Sequence, residues 1–297
     1  MIILDGKKIA LNKFPDGTLL LKESIQPYIN NDCREARIFW HFENNEEMIA
    51  IMFLTRHLQS NGVVFVHLVM PYIPNARQDR VKTNEDVFTL KYFAEFINSL
   101  GFNSVTVLDP HSSVSEALIN NLVIENPKKY IDKAISEIEV SRNFVVAPIT
   151  EKINLNPKPF IAFYPDEGAM KRYSSLIHMD YAFGIKRRDW SSGKILGLDV
   201  SGAINKISGS DIIIIDDICS KGGTFYHSAK KLKELGANNI YLYVTHCEST
   251  IFDGDIFNSG LIEKVFTTNS IFNKKDMKTA EELGITEMIE VFEYEKD

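Results

Sequence analysis

The sequence predicts an α/β protein in which mainly parallel sheets carry helices on both faces. Three observations point there. Short apolar runs alternate with segments of helical period along the chain. One run, "IIII" at 212–215, is apolar at every position, as a central strand buried on both faces requires. The order strand, helix, strand occurs in both halves of a 297-residue chain, which is long enough for two domains.

Taken in order, "GVVFVHLVMPY" at 62–72 reads as a buried strand. "DVFTLKYFAEFINSLG" at 86–101 reads as a helix, with Phe88, Tyr92, Phe93, Phe96 and Ile97 on one face and a glycine at its end. "NSVTVLDPH" at 103–111 is the next strand, and this order makes the pairing parallel. In the second half, "NFVVAPI" at 143–149 and "KPFIAFYPD" at 158–166 read as strands, and the helix "EGAMKRYSSLI" follows. "DYAFGIKRR", the isoleucine strand, its helix and "NIYLYVTH" at 239–246 complete the pattern. A polar, lysine-rich stretch lies between the halves. It places the domain boundary near residue 140, giving domains 1–140 and 141–297.

Composition excludes several classes. Apolar residues make up 44% and charged residues 25%, a globular, soluble balance. The net charge of −7 argues against a general nucleic-acid binder, which needs a basic face. Cys33, Cys219 and Cys247 are far apart and form no CxxC, so neither a disulfide framework nor a zinc site is expected. No apolar run reaches membrane-spanning length, and the N-terminus does not read as a signal peptide. A reducing, cytoplasmic setting is the expectation.

The stretch "IIIIDDICSKGGT" at 212–224 concentrates the chemistry. Ligands of open α/β sheets bind just beyond the carboxyl ends of the strands, and Asp216 and Asp217 are expected at that edge. Gly222 and Gly223 let backbone N–H groups approach an anion. Thr224 opens a helix whose first N–H groups and dipole favour phosphate. Carboxylates suit sugar hydroxyls, or a metal bridging to phosphate. A hydroxyl seat beside a phosphate seat fits a ribose phosphate. The bland alternative is a solvated strand end followed by a plain turn.

With Ser220 and Lys221 before its glycines, this stretch resembles the ribose-phosphate-binding motif shared by type I phosphoribosyltransferases and ribose-phosphate pyrophosphokinases (PRPP synthetases). The usual loop reads Thr-Gly-Gly-Thr; Lys221 replaces its first threonine. "MPYIPNARQDRV" at 70–81 resembles the synthetases' ATP-binding segment, making Arg77, Gln78, Asp79 and Arg80 ATP contacts. "KFPDGTLLLK" at 13–22 resembles their Phe-x-Asp-Gly-Glu segment, which implies that Phe14 and Asp16 face adenine across a subunit interface; Thr18 replaces the glutamate. Members usually carry a further strand and helix ahead of this segment, so altered subunit contacts are expected. "VTVLDPHS" at 105–112 matches His111 to a contact of the ATP-bound metal. "YPDEGAMKR" at 164–172 resembles a Pro-Asp-x-Gly-Gly turn, with Asp166 a metal or substrate contact and Ala169 in place of the second glycine. "IKRRDW" at 185–190 matches Lys186 and Arg188 to the cations of a loop that closes over the reaction.

The resemblance implies two phosphoribosyltransferase-like (type I) domains. It implies transfer of the diphosphoryl group of ATP to the 1-hydroxyl of ribose 5-phosphate, with Mg²⁺ as cofactor and AMP released. The partners implied are ATP and a phosphorylated ribose, in a homodimer or larger homo-oligomer, with no nucleic acid and no membrane. Lys221 leaves open a larger 5′-diphosphate acceptor such as ADP-ribose, which would tie the chain to NAD metabolism. A type I phosphoribosyltransferase and a non-catalytic homologue are the remaining alternatives.

Overall fold

The computed structural model describes residues 1–29, 34–143, 159–188 and 195–294. It contains two compact units, Met1–Asn126 and Pro127–Asp297. Each has its own sheet and its own apolar core, so the α/β expectation holds in both. Of the expected strand at 143–149, Asn143 ends a helix instead and 144–149 lie outside the described residues.

In the first unit, β1 (Ile2–Leu4) and β2 (Lys7–Lys8) form an edge, and β3 (Asn12–Lys13) and β4 (Leu19–Leu20) form a separate hairpin. Helix α1 (Gln26–Ile29), β5 (Glu35–Trp40), α2 (Glu46–Ser60), β6 (Phe65–Val69), α3 (Thr89–Ser99), β7 (Ser104–Leu108), α4 (Val114–Leu118) and β8 (Leu122–Glu125) follow. The sheet order is β2-β1-β5-β6-β7-β8, parallel from β5 to β8. Helix α3 forms where its period predicts, but its buried residues are Leu90, Phe93, Ala94 and Ile97. The face expected for it needs correction: Tyr92 is 57% exposed. It stands between the i, i+3, i+4, i+7 positions that meet the sheet. Phe88 and Phe96 pack only at the margin of the core.

The second unit begins with α5 (Lys128–Asn143) and continues with β9 (Phe160–Tyr164), α6 (Glu167–Tyr173), β10 (Tyr181–Arg188), β11 (Ile195–Gly202), β12 (Asp211–Cys219), α7 (Gly223–Glu234), β13 (Ile240–Cys247), β14 (Lys264–Thr268), α8 (Lys274–Glu282) and β15 (Ile289–Phe292). Its order is β11-β10-β9-β12-β13-β14-β15, with only the β10–β11 pair antiparallel. The division falls between Asn126 and Pro127, ahead of the expected boundary at 140. Helix α5 explains the difference. Its Tyr130, Ile131, Ala134 and Ile138 are buried. Tyr130 stacks on Phe292 of β15, and Arg142 pairs with the buried Asp211 at 2.7 Å. The stretch that read as a polar linker is an amphipathic helix of the second unit.

Candidate active site

In the second unit, β12 places the paired acids. Ile212, Ile213, Ile214 and Ile215 are fully buried, as a central strand requires. The strand then runs on through both aspartates, with Ile218 opposite His246 and Cys219 opposite Cys247. The acids are therefore part of the strand, and they lie at the sheet's carboxyl edge. On the other side, β9 pairs with β12 only as far as Phe163 opposite Ile214, so the two acids pass its end.

Their environments differ. Asp217 is 3% exposed, and its Oδ2 lies 3.0 Å from the Arg172 guanidinium of α6. The Asp217 backbone N–H donates to Asp216 Oδ1 at 3.0 Å. Burial pushes the Asp216 carboxyl well above the usual range, and the neighbouring charges of Asp217 and then Asp166 add to the effect. Asp166 itself caps α6, its Oδ1 accepting from the backbone N–H groups of Gly168 and Ala169 at 3.0 and 3.1 Å. Its expected metal role must therefore coexist with a capping role. Arg172 carried no signal of its own within a basic pair on a short helix, and the sequence reading passed over it.

The loop after β12 is shaped from behind. Gly222 has φ +74°, and a Cβ there would lie 2.5 Å from Ile256. A glycine is required on both counts. Gly223 differs: its φ is ordinary, and a Cβ would meet nothing within 4 Å. Folding gives no reason for that glycine, whereas a ligand approaching the backbone would. Helix α7 starts at Gly223 without a side-chain cap, so its first N–H groups have no intrahelical acceptor. Thr224 and Lys221 are exposed, and the Lys221 ammonium has no ion pair among the described residues. Ser220 is committed elsewhere, its hydroxyl donating to Glu248 at 2.6 Å.

In the first unit, the 77–80 segment follows β6, and His111 and Ser112 follow the adjacent parallel β7. Arg80 grips the carboxylate of Asp79 with two hydrogen bonds, of 2.6 and 2.8 Å. The Ser112 hydroxyl donates to the same carboxylate at 2.6 Å. Hydrogen bonds from Arg80, opposed by burial and aided by Ser112 and the charges of Arg80 and His111, hold Asp79 at a pKa of about 2. Gln78 accepts from the Thr89 hydroxyl at 3.1 Å, and Arg77 is exposed. The structure thus brings Asp79, Arg80, His111 and Ser112 together at one sheet edge.

Phe14 and Asp16 stand apart on the β3–β4 turn. Thr18 donates its N–H and hydroxyl to Asp16 Oδ1 at 3.0 and 2.7 Å, closing the turn on itself. Phe14 is 48% exposed beside a depression of about 680 Å³ lined also by Leu19, Phe53 and His57. Lys186 and Arg188 belong to β10, opposite Leu198 and Ile195 of β11, with a register irregularity between Arg187 and Arg188. Among the described residues, no cluster of three or more His, Cys, Asp or Glu could hold a metal ion on its own.

The site thus lies in an α/β unit whose central strand carries an acid pair and leads into a glycine loop. The model of the phosphoribosyl synthetase-associated domain family matches residues 197–290. A ribose-phosphate pyrophosphokinase of Shewanella oneidensis is 26% identical over 93% of this chain and 83% of its own length. One from Mycoplasmopsis pulmonis is 26% identical over 96% and 84%. The crystal structure of phosphoribosylpyrophosphate synthetase from Mycobacterium smegmatis superposes with a TM-score of 0.69, at 16% identity, over 96% of this chain and 86% of that one. The last likeness is one of fold. Along most of its length the chain is thus similar to ribose-phosphate pyrophosphokinases.

Proposed function

We propose that the chain transfers the diphosphoryl group of ATP to the 1-hydroxyl of ribose 5-phosphate, forming PRPP and AMP. The observation that carries this reading is Gly223. It is a glycine without a folding reason, at an uncapped helix start, directly after a buried acid pair. The similarity to ribose-phosphate pyrophosphokinases supports the same reaction.

In this reading the α7 N-terminus and the 220–224 loop take the 5-phosphate, with Lys221 adding a point charge. Asp217, paired with Arg172, accepts from a ribose hydroxyl, and Asp216 orients the sugar beside it. Arg77 and Arg80 neutralise the triphosphate, and Phe14 and Asp16 are assigned to the adenine. Lys186 and Arg188 stabilise charge on the transferring phosphoryl oxygens. The transfer needs no covalent intermediate on the protein. The work is alignment and charge neutralisation.

The donor set suits a hard cation that arrives with ATP. Mg²⁺ keeps several waters and takes only one or two protein ligands, so His111 in the first unit and Asp166 in the second are each assigned as a ligand. Bound there, it would neutralise phosphate oxygens. A homo-oligomer in the cytoplasm, with no nucleic-acid or membrane partner, completes the proposal. No described helix is long and apolar enough to cross a membrane.

Incubation with ATP, Mg²⁺ and ribose 5-phosphate, followed by mass spectrometry, tests the reading. AMP and PRPP are expected in equal amounts. Lys186→Ala should lower kcat by a factor of about 10² or more. Turnover of ADP-ribose far faster than ribose 5-phosphate would overturn the acceptor assignment, and AMP release unaffected by Lys186→Ala would overturn the assigned chemistry.

A further inference from the structure

The loop that begins α7 is braced from behind by a segment of the same unit, residues 248–256. Three contacts make the brace. The Glu248 carboxylate accepts from the Ser220 hydroxyl at 2.6 Å, while the Glu248 N–H donates to the Cys219 carbonyl at 2.8 Å. Gly254 lies against the loop backbone, where a Cβ would fall 1.9 Å from the Lys221 carbonyl oxygen. Ile256 fills the space in which Gly222 lacks a side chain. Thr250 holds the brace to itself, donating to the same Glu248 oxygen at 3.2 Å.

Each contact fixes one point of the loop. Glu248 holds the end that leaves β12, Gly254 admits the backbone at Lys221, and Ile256 supports the left-handed turn at Gly222. An anion seat built from backbone N–H groups depends on such a fixed shape, because amides that must reorganise on binding give up affinity. The carboxylate also occupies the Ser220 hydroxyl as a donor. The charged donor left on the loop is the exposed Lys221.

We propose that Glu248 is a positioning residue for the acceptor: its bond to Ser220 holds the 220–223 loop in the shape that receives the phosphate of the phosphorylated sugar. The inference rests on the proposed acceptor site, and it adds a residue that touches neither substrate. A carboxylate so near an anion seat would repel the ligand if it served only as surface charge. Its charge is useful because it makes a strong hydrogen bond to a hydroxyl.

Steady-state kinetics and calorimetric titration of ribose 5-phosphate, both on the full chain, test this with Glu248→Ala, Glu248→Gln and Ser220→Ala. Glu248→Ala should raise the KM and Kd for ribose 5-phosphate by roughly tenfold, the size expected for one charge-assisted hydrogen bond. The KM for ATP and kcat should stay within about twofold, a split that general unfolding would not give. Glu248→Gln keeps an accepting oxygen and should recover most of the affinity. Ser220→Ala removes the same bond from the other side and decides the matter if Glu248→Ala does not fold. Unchanged ribose 5-phosphate affinity in Glu248→Ala or in a folded Ser220→Ala overturns the inference. So does an equal rise in both KM values. A wild type that binds ribose 5-phosphate but releases no AMP would instead overturn the proposed function and leave the calorimetric arm standing.

Discussion

The two units present their acids in opposite electrical states. In the first, Asp79 lies on a loop after β6, gripped by an exposed arginine and a serine, with its pKa lowered to about 2. In the second, Asp216 lies inside a central strand, and burial beside Asp217 drives its pKa upward. Both segments sit at carboxyl edges of parallel strands. The difference lies in where the chain places its cations. The 77–80 segment is itself rich in arginine and suits a highly charged nucleotide. The acid pair is met by the half-buried Arg172 and suits a neutral diol that brings its own hydrogen-bond donors.

The sharpest way to break this comparison is to remove the paired acid of the second unit's site. Asp217→Ala leaves Arg172 without its carboxylate. It should cost about 2–3 kcal/mol of stability by chemical denaturation and raise the ribose 5-phosphate KM by roughly 10². The corresponding change in the first unit, Asp79→Ala, releases an exposed arginine and should cost far less.

Asp216 sharpens the contrast in the other direction. Its raised pKa means that the folded state holds a proton the unfolded chain has lost above about pH 4. That stabilising term is fully present below the unfolded pKa, and it fades as pH rises through the folded value. Asp216→Asn removes this dependence. The variant should gain on the wild type as pH rises from 4 to neutrality, while its affinity for ribose 5-phosphate falls. Parallel stability curves for the two proteins over that range would contradict the buried-pair account.

The first unit should show the reverse slope, on a smaller scale. Asp79 is depressed, so its contribution is present above the unfolded pKa of about 4 and is lost as pH falls towards about 2. Discounted for solvent screening, it amounts to about 1 kcal/mol. Comparing Asp79→Asn with wild type by denaturant titration at pH 2.5 and pH 6 would check this, with the larger difference expected at the higher pH.

Much of this was legible in the chain. The four isoleucines announce a strand buried on both faces, and they are buried. Pro-Asp-Gly at 15–17 announces a turn, and it closes the β3–β4 hairpin with Gly17 at φ +86°. What could not be read depends on distance in sequence. Whether β12 ends at Ile215 or at Cys219 is decided by β13, which keeps pairing, and by β9, which stops. Glu248 meets Ser220 across 28 residues. Helix α5 was missed for a different reason. Its apolar positions 130, 131, 134 and 138 have helical spacing, but five lysines and glutamates between positions 128 and 139 outweighed them by composition. Period was the better guide there, and charge described only the solvent face.

Gly223 gives the most direct test of the whole account, because it separates folding from binding. An added methyl meets no atom within 4 Å and needs no unusual backbone angle. Gly223→Ala should therefore fold with a stability within about 1 kcal/mol of wild type. Calorimetric titration of ribose 5-phosphate into that variant should show affinity lowered at least tenfold, or about 1.4 kcal/mol, because the methyl stands in the phosphate seat. Undiminished affinity in a protein of unchanged stability would contradict the assignment of this loop as the acceptor site.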